Sequence, residues 1–268
     1  MDNKEQRYSN QPGCFIMLLL LALMFGGARL FLILFGLMYI LFPLLVIAIP
    51  VIFLVSSMRR KSTIQNYINT QTQDHNRFVE LFVRILARMV QADGVVDPHE
   101  IAAIRKYFQY QMRLGSEQLQ WIKDILKDAL KKPDSVEDLC REFNASFGYE
   151  PKLVLCDLLY RVAFADGEFD KSEQDLLRDI VALLGIHEHH HKSIRGQYVS
   201  GEDDQRYYEI LGLEPGADFE GVRDAYKKMS QQFHPDKVTH LGPEFARVAE
   251  DKMKLINEAY QYLKKKLV

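Results

Sequence analysis

Cysteine is scarce: the three residues Cys14, Cys140 and Cys156 stand far apart and form no CxxC pair. An odd, scattered set argues against a disulfide framework and fits a reducing compartment. An excess charge of one sign is also lacking. The 34 Lys and Arg residues stand against 36 Asp and Glu, a formal net charge of −2, which gives no general reason to expect a nucleic-acid partner. There is no nucleotide loop, no GxSxG and no HExxH. With those catalytic signatures missing, the chain reads as a non-enzyme that needs no cofactor. No stretch alternates with period two, so the half-buried strand pattern is absent and the fold class is all-α.

What the chain does have is a long apolar run. Between Cys14 and Val55 the one charged residue is Arg29. Leu30 to Val55 carries no charge at all, and as a helix it would reach about 39 Å, enough to cross a hydrocarbon layer with tilt. Pro43 and Pro50 would kink such a helix, which membranes tolerate better than water does. The stretch before it, Cys14 to Ala28, is short for a crossing and breaks at Gly26-Gly27. One helix through the whole run would be about twice as long as a bilayer needs. A hairpin with Arg29 near the far interface, or a single crossing, are the two solutions. Arg59-Arg60-Lys61 follow directly, and a positive flank stays cytoplasmic. Residues 1–61 are therefore expected to be a membrane anchor of one or two transmembrane helices, with everything beyond in the cytoplasm at a bacterial inner (plasma) membrane. Through this anchor a homodimer is also compatible with the sequence.

After a polar linker, 62–76, a helical period begins: Phe78, Leu81, Phe82, Ile85, Leu86, Met89 and Val90 fall at i, i+3, i+4 and onward. Further apolar helical patterns lie around 119–130, 136–143, 153–164 and 176–184. Two segments match one another, Ala92 to Glu100 and Ala165 to Glu173, both reading ADGxxDxxE between apolar helices. Gly94 and Gly167 suit the left-handed end of one helix. Asp97 and Asp170 suit the N-cap of the next, with Glu100 and Glu173 completing capping boxes, and Pro98 suits the first helical position. The competing use of Asp93, Asp97, Glu100, Asp166, Asp170 and Glu173 is as oxygen ligands of a divalent cation. Their spacing lacks the ligand density of a calcium loop, so capping is preferred. These paired segments resemble the TerB-like domain over 77–198, which implies an interaction module rather than catalysis. His187, His189, His190 and His191 suggest zinc, but no cysteine lies close by, and a polar helix end or linker is the expectation.

An acidic hinge, 199–205, leads to the last segment, 206–268. Tyr207 to Leu213 reads as a short helix ended by glycine, and Asp218 as the cap of a second helix. That helix carries Phe219, Val222, Ala225, Met229 and Phe233 on one stripe, and stops at His234-Pro235-Asp236 because residues before proline avoid the α region. A final helix, about Glu244 to Lys264, places Phe245, Val248, Ile256, Ala259, Tyr260 and Leu263 on its apolar side. The ordered blocks YYEILGL, AYKKM, HPDK and INEAYQYL resemble a J domain along its whole length.

The resemblance implies a helical hairpin whose HPD loop docks on a DnaK-type ATP-dependent chaperone. It places His234, Pro235 and Asp236 in that loop, and Arg223, Tyr226, Lys227 and Lys228 on the docking helix. Asp236 would accept a charge-assisted bond from a partner arginine, and the cations would speed encounter with an acidic surface. Anchor, TerB-like domain and C-terminal J domain together resemble the DjlA-type membrane co-chaperones of bacteria. They imply recruitment of the chaperone to the membrane surface for clients the sequence does not name. The departure is the anchor, a single crossing in that family. The alternative is a membrane-bound stress or metal-response scaffold working through the TerB-like domain.

Overall fold

The computed structural model describes the chain at residues 42, 46–56, 58, 62, 64–65, 67–94, 96, 98–165, 169–198 and 203–268. Two compact units result, 1–62 and 63–268. In the first, residues 46–56 are helical and wear their apolar side chains outward, with Phe53 74% exposed. Among the described residues no helix is long and apolar enough to cross a membrane. Most of the expected anchor, including Arg29 and the basic triplet, lies outside them.

The second unit is helical throughout, with no strand among its described residues. Its centre is α1 (Gln73–Val90), started by Thr72, whose side chain accepts from the His75 N–H at 3.1 Å. The expected stripe is buried, and the burial extends to Val79, Val83 and Ala87 along one side of it. The reason is packing on more than one side: α3 (Ser116–Lys131), α4 (Val136–Ser146) and α6 (Lys171–Leu183) all lie against α1. Between α1 and α3 comes α2 (Pro98–Lys106), which continues as a π-helical turn over Tyr107–Gln111. A second long helix, α5 (Tyr149–Ala163), carries α7 (Glu188–Arg195) on its flank.

The two repeats do what helix joints require. Gly94 has φ 84°, the left-handed conformation that ends a helix, and Pro98 opens α2. In the second copy the capping box is complete: the Glu173 N–H donates to Asp170 Oδ1 at 2.8 Å, and the Asp170 N–H donates to Glu173 Oε2 at 3.3 Å. Asp97, Asp166 and Gly167 lie outside the described residues.

Residues 203–268 form α8 (Asp203–Ile210), α9 (Phe219–Gln232), a 3₁₀ segment (Pro235–Leu241) and α10 (Pro243–Leu267). Asp218 caps α9 by accepting from the Gly221 N–H at 2.9 Å. The α9–α10 hairpin, braced by α8, is the expected arrangement.

Three sequence expectations need amending. The polar stretch read as a linker is helical at 64–65 and 67–70. Its side chains find partners there: Asn76 Nδ2 donates to the Ile68 carbonyl at 2.8 Å and Gln118 Nε2 donates to the Tyr67 hydroxyl at 2.6 Å. Of the segment read as a hinge, residues 203–205 are the first turn of α8, and 199–202 lie outside the described residues. The histidine run is a polar helix end only in part: His187 caps α7 and His189 is exposed in its first turn, but His190 is buried where α7 is wedged between α5 and α8. His190 is 3% exposed, and its ring Nδ1 shares a hydrogen bond with the Tyr149 hydroxyl at 2.7 Å. Burial, then His189 and His187, pushes its pKa down to about 4, so it is neutral at physiological pH.

Candidate functional site

The hairpin is seated on the helices that precede it. Helix α10 packs on α5, the 3₁₀ segment packs on both α1 and α5, and α8 packs on α7. The Phe78 and Phe245 rings meet with centroids 4.7 Å apart, a favourable tilted pair. His75 Nδ1 donates to the Leu241 carbonyl at 2.7 Å, and Thr72 Oγ1 donates to the His240 carbonyl at 3.1 Å. Gly242, at φ 114°, has no room for a side chain here, because a Cβ would lie 2.6 Å from His75 Nδ1. Ser193 Oγ donates to the Ile210 carbonyl at 2.5 Å. This seat buries one side of the hairpin and leaves the other free.

On the free side stands the His-Pro-Asp loop. Helix α9 ends at Gln232, and Pro235 occupies the first position of the 3₁₀ segment with His234 as its N-cap. His234 is 50% exposed and Asp236 84%. The Asp236 N–H donates to His234 Nδ1 at 3.3 Å, and the Lys237 N–H to the His234 carbonyl at 3.1 Å. The first of these assigns Nδ1 as an acceptor, so neutral His234 carries its proton on Nε2. The Asp236 carboxylate lies 3.6 Å from that Nδ1 and otherwise faces solvent. It is an anion held by a short, stiffened turn, available for a cationic donor from outside.

An open depression of about 600 Å³ runs beside the loop, lined by Tyr226, Lys227, Ser230, Gln231, His234 and Lys237 among others. The structure thus brings Tyr226, Lys227 and His234 together. Arg223 and Lys228 are exposed on α9 outside that depression. Arg223 lies 3.7 Å from Glu220 and 3.9 Å from Asp224, so its charge is partly compensated within its own helix. Tyr226 is turned onto α10: its hydroxyl donates to Asn257 Oδ1 at 2.9 Å, and its ring stacks on Tyr260 at 4.2 Å.

Comparison with known proteins divides the chain in the same order. The model of the tellurite resistance protein TerB family matches residues 80–196, and that of the DnaJ domain matches residues 206–267. Co-chaperone protein DjlA of Vibrio vulnificus strain YJ016 is 25% identical over 231 residues, covering 73% of this chain and 80% of the relative. That of Vibrio parahaemolyticus is 27% identical over 228 residues, with the same coverage of 73% and 80%. Chaperone protein DnaJ of Fusobacterium nucleatum is 42% identical, but over 57 residues, 21% of this chain and 14% of that protein. The chain has the TerB–DnaJ architecture of the DjlA co-chaperones. No solved structure gives a significant match.

The contacts of two lysines in the J domain are not given by its motifs. Lys237, directly after the HPD triplet, forms an ion pair with Glu150 of the TerB domain at 2.6 Å. Burial works against the Glu150 carboxylate, but Lys237 prevails and holds it below the usual carboxylate range. Lys252 is 1% exposed, and its ammonium donates to the Ser193 carbonyl. It sits 5.5 Å from the Phe233 ring centroid. The signal for Lys252 was present: it lies four residues from both Val248 and Ile256, on the apolar stripe of α10. Burial drives its pKa down to about 7, against the pull of Asp157. That carboxylate is itself held by Arg161 Nε at 2.8 Å and the Tyr198 hydroxyl at 2.7 Å.

Of the six acidic residues weighed as cation ligands, Asp97 and Asp166 fall outside the described residues. Asp170 and Glu173 are engaged in capping one another. Glu100 and Glu173, equivalent in the two repeats, line one small cavity between α1, α2, α5 and the first turn of α6. Among the described residues no group of three or more His, Cys, Asp or Glu side chains is placed to hold a metal ion.

Proposed function

We propose that the chain is a membrane-anchored co-chaperone whose J domain docks on a DnaK-type chaperone, stimulates its ATP hydrolysis and brings it to the membrane surface. The observation that carries this reading is the orientation of the J domain. The face it turns to the TerB domain is filled by Phe78, His75 and Ser193, while the HPD loop and the cations of α9 stay open to solvent. The chemistry is indirect. Asp236 accepts a charge-assisted bond from a partner cation, Pro235 limits the entropy lost on docking, and Arg223, Lys227 and Lys228 attract an acidic surface. Hydrolysis belongs to the partner, which docking biases toward its hydrolysis-competent state.

The anchor rests on the uncharged run Leu30–Val55 and the basic triplet after it, supported by the outward apolar side chains of the helix at 46–56. Both domains then face the cytoplasm, the TerB domain serving as an interaction module and the segment around 199–205 as the junction. Two measurements test this together. Pull-down from membranes with the full chain retains the DnaK-type chaperone, and Asp236→Asn loses it. Reporter fusions at residues 10 and 70 both read cytoplasm for a hairpin, and residue 10 alone reads outside for a single crossing. An outside signal at residue 70 contradicts the scheme.

A further inference from the structure

The internal duplication of the TerB domain extends into the helix that follows each repeat. In the second copy, helix α6 buries Leu177, Ile180 and Val181, with α1, α4 and α5 packed around it. In the first copy the equivalent positions, 73 residues earlier, are Ile104 of α2 and Tyr107 and Phe108 of the π-helical turn that continues it, and they are buried too. Ile101 and Ala102 of α2 are half-buried at the edge of an open groove of about 530 Å³ between α2 and α3. Leu119, Ile122 and Leu126 of α3 form the opposite wall. The first copy thus buries the same positions but leaves a groove open along its helix.

We propose that this groove receives an amphipathic helix with acidic flanks, presented by another protein. Three features decide the occupant. An apolar trough walled by two helices and lacking a sheet edge suits a helix laid into it, which fills such a trough at i, i+3, i+4 and i+7. The charged residues on the lining are Arg105 and Lys123, with no acidic residue among them. Both are exposed, and neither has an ion-pair partner among the described residues, so the rim is complementary to carboxylates. Among the described residues of 63–268 a second copy offers no matching ridge. Within 63–268 the exposed large apolar side chains, such as Val96, Tyr110, Leu183 and Tyr262, are scattered rather than set in a helical stripe.

The backbone at this groove is also unusual. Phe108 and Gln109 on its lining belong to the π-helical turn 107–111, and Arg113 beyond it has φ 55° without being glycine. π-turns gather at functional sites, and a strained residue persists where the surroundings hold it. Here the turn swings Phe108 into the floor of the groove, where it meets Phe82 with centroids 5.8 Å apart.

The proposal is independent of the HPD loop and can be tested without a chaperone. The full chain, in detergent or nanodiscs, is titrated against a fluorescent designed helix bearing leucines at i, i+3, i+4 and i+7 with glutamates on the flanks. Controls are the same peptide with lysines for glutamates and one with the leucines scrambled. The glutamate peptide binds one per chain, and the two controls bind weaker by about tenfold or more. Arg105→Glu with Lys123→Glu inverts the preference between the charged peptides. Ala102→Trp, which fills the groove, abolishes binding with helicity retained. Equal binding of all three peptides, or binding untouched by both variants, overturns the proposal. So does a dimer of the chain that Ala102→Trp dissociates, because the occupant is then a second copy.

Discussion

Replacing Lys252 by methionine removes a buried amine while keeping a flexible chain of similar length beside the Phe233 ring. In the folded protein burial lowers the lysine pKa from 10.5 to about 7. Between those values the unfolded chain binds a proton that the folded chain does not. Stability of the wild type therefore rises with pH across this window, by about 1.4 kcal/mol per pH unit for one proton. From pH 7.5 to 9 this contribution amounts to roughly 2 kcal/mol. Buried groups with raised pKa, such as Cys140 and Cys156, work in the opposite direction. They are common to both proteins and cancel in the difference. Urea denaturation of residues 63–268, followed by far-UV circular dichroism at half-unit steps, measures the two slopes. The wild-type slope should exceed that of Lys252→Met by roughly one proton equivalent. Equal slopes would refute the placement of Lys252 in a dry seam between the TerB and J domains.

Two further outcomes follow from single contacts. Asp170→Ala removes the N-cap of α6 and should cost about 1 kcal/mol in the same denaturation assay. The loss should be equal with and without a chelator, and one that vanishes on chelation would speak for a bound cation. Glu150→Gln releases Lys237 from its ion pair and adds a free cation beside the HPD loop. Chaperone stimulation at subsaturating concentration and low salt should rise about two- to threefold, and the gain should fade as salt screens it. A decrease would mean that the ion pair positions the loop instead of competing for the lysine.

Much of the architecture was legible because it follows from local rules. The stripe from Phe78 to Val90 needed only the helical period, the Asp170 and Asp218 caps only a side-chain oxygen before an apolar run, and the end of α9 only Pro235. What the sequence did not disclose is long-range. The burial of His190 depends on α5 and α8 closing over α7, and its four-histidine neighbourhood reads as polar until those helices are in place. The helical turns at 64–65 and 67–70 depend on partners in α1 and α3. Tyr226 belongs to the motif by position, yet its contacts on Tyr260 and Asn257 make it a strut of the hairpin. Lys237 was visible within HPDK, but its ion pair with Glu150 joins residues 87 positions apart, which no local pattern encodes.

The proposed function rests on Asp236, an exposed carboxylate in a stiff loop. The most direct measurement is single-turnover ATP hydrolysis by a DnaK-type chaperone, with residues 63–268 added at subsaturating concentration. The wild type should accelerate hydrolysis, and Asp236→Asn and His234→Gln should each abolish the acceleration. Because both side chains are at least half exposed, helicity and melting should remain nearly unchanged. Acceleration that survives Asp236→Asn would contradict the account.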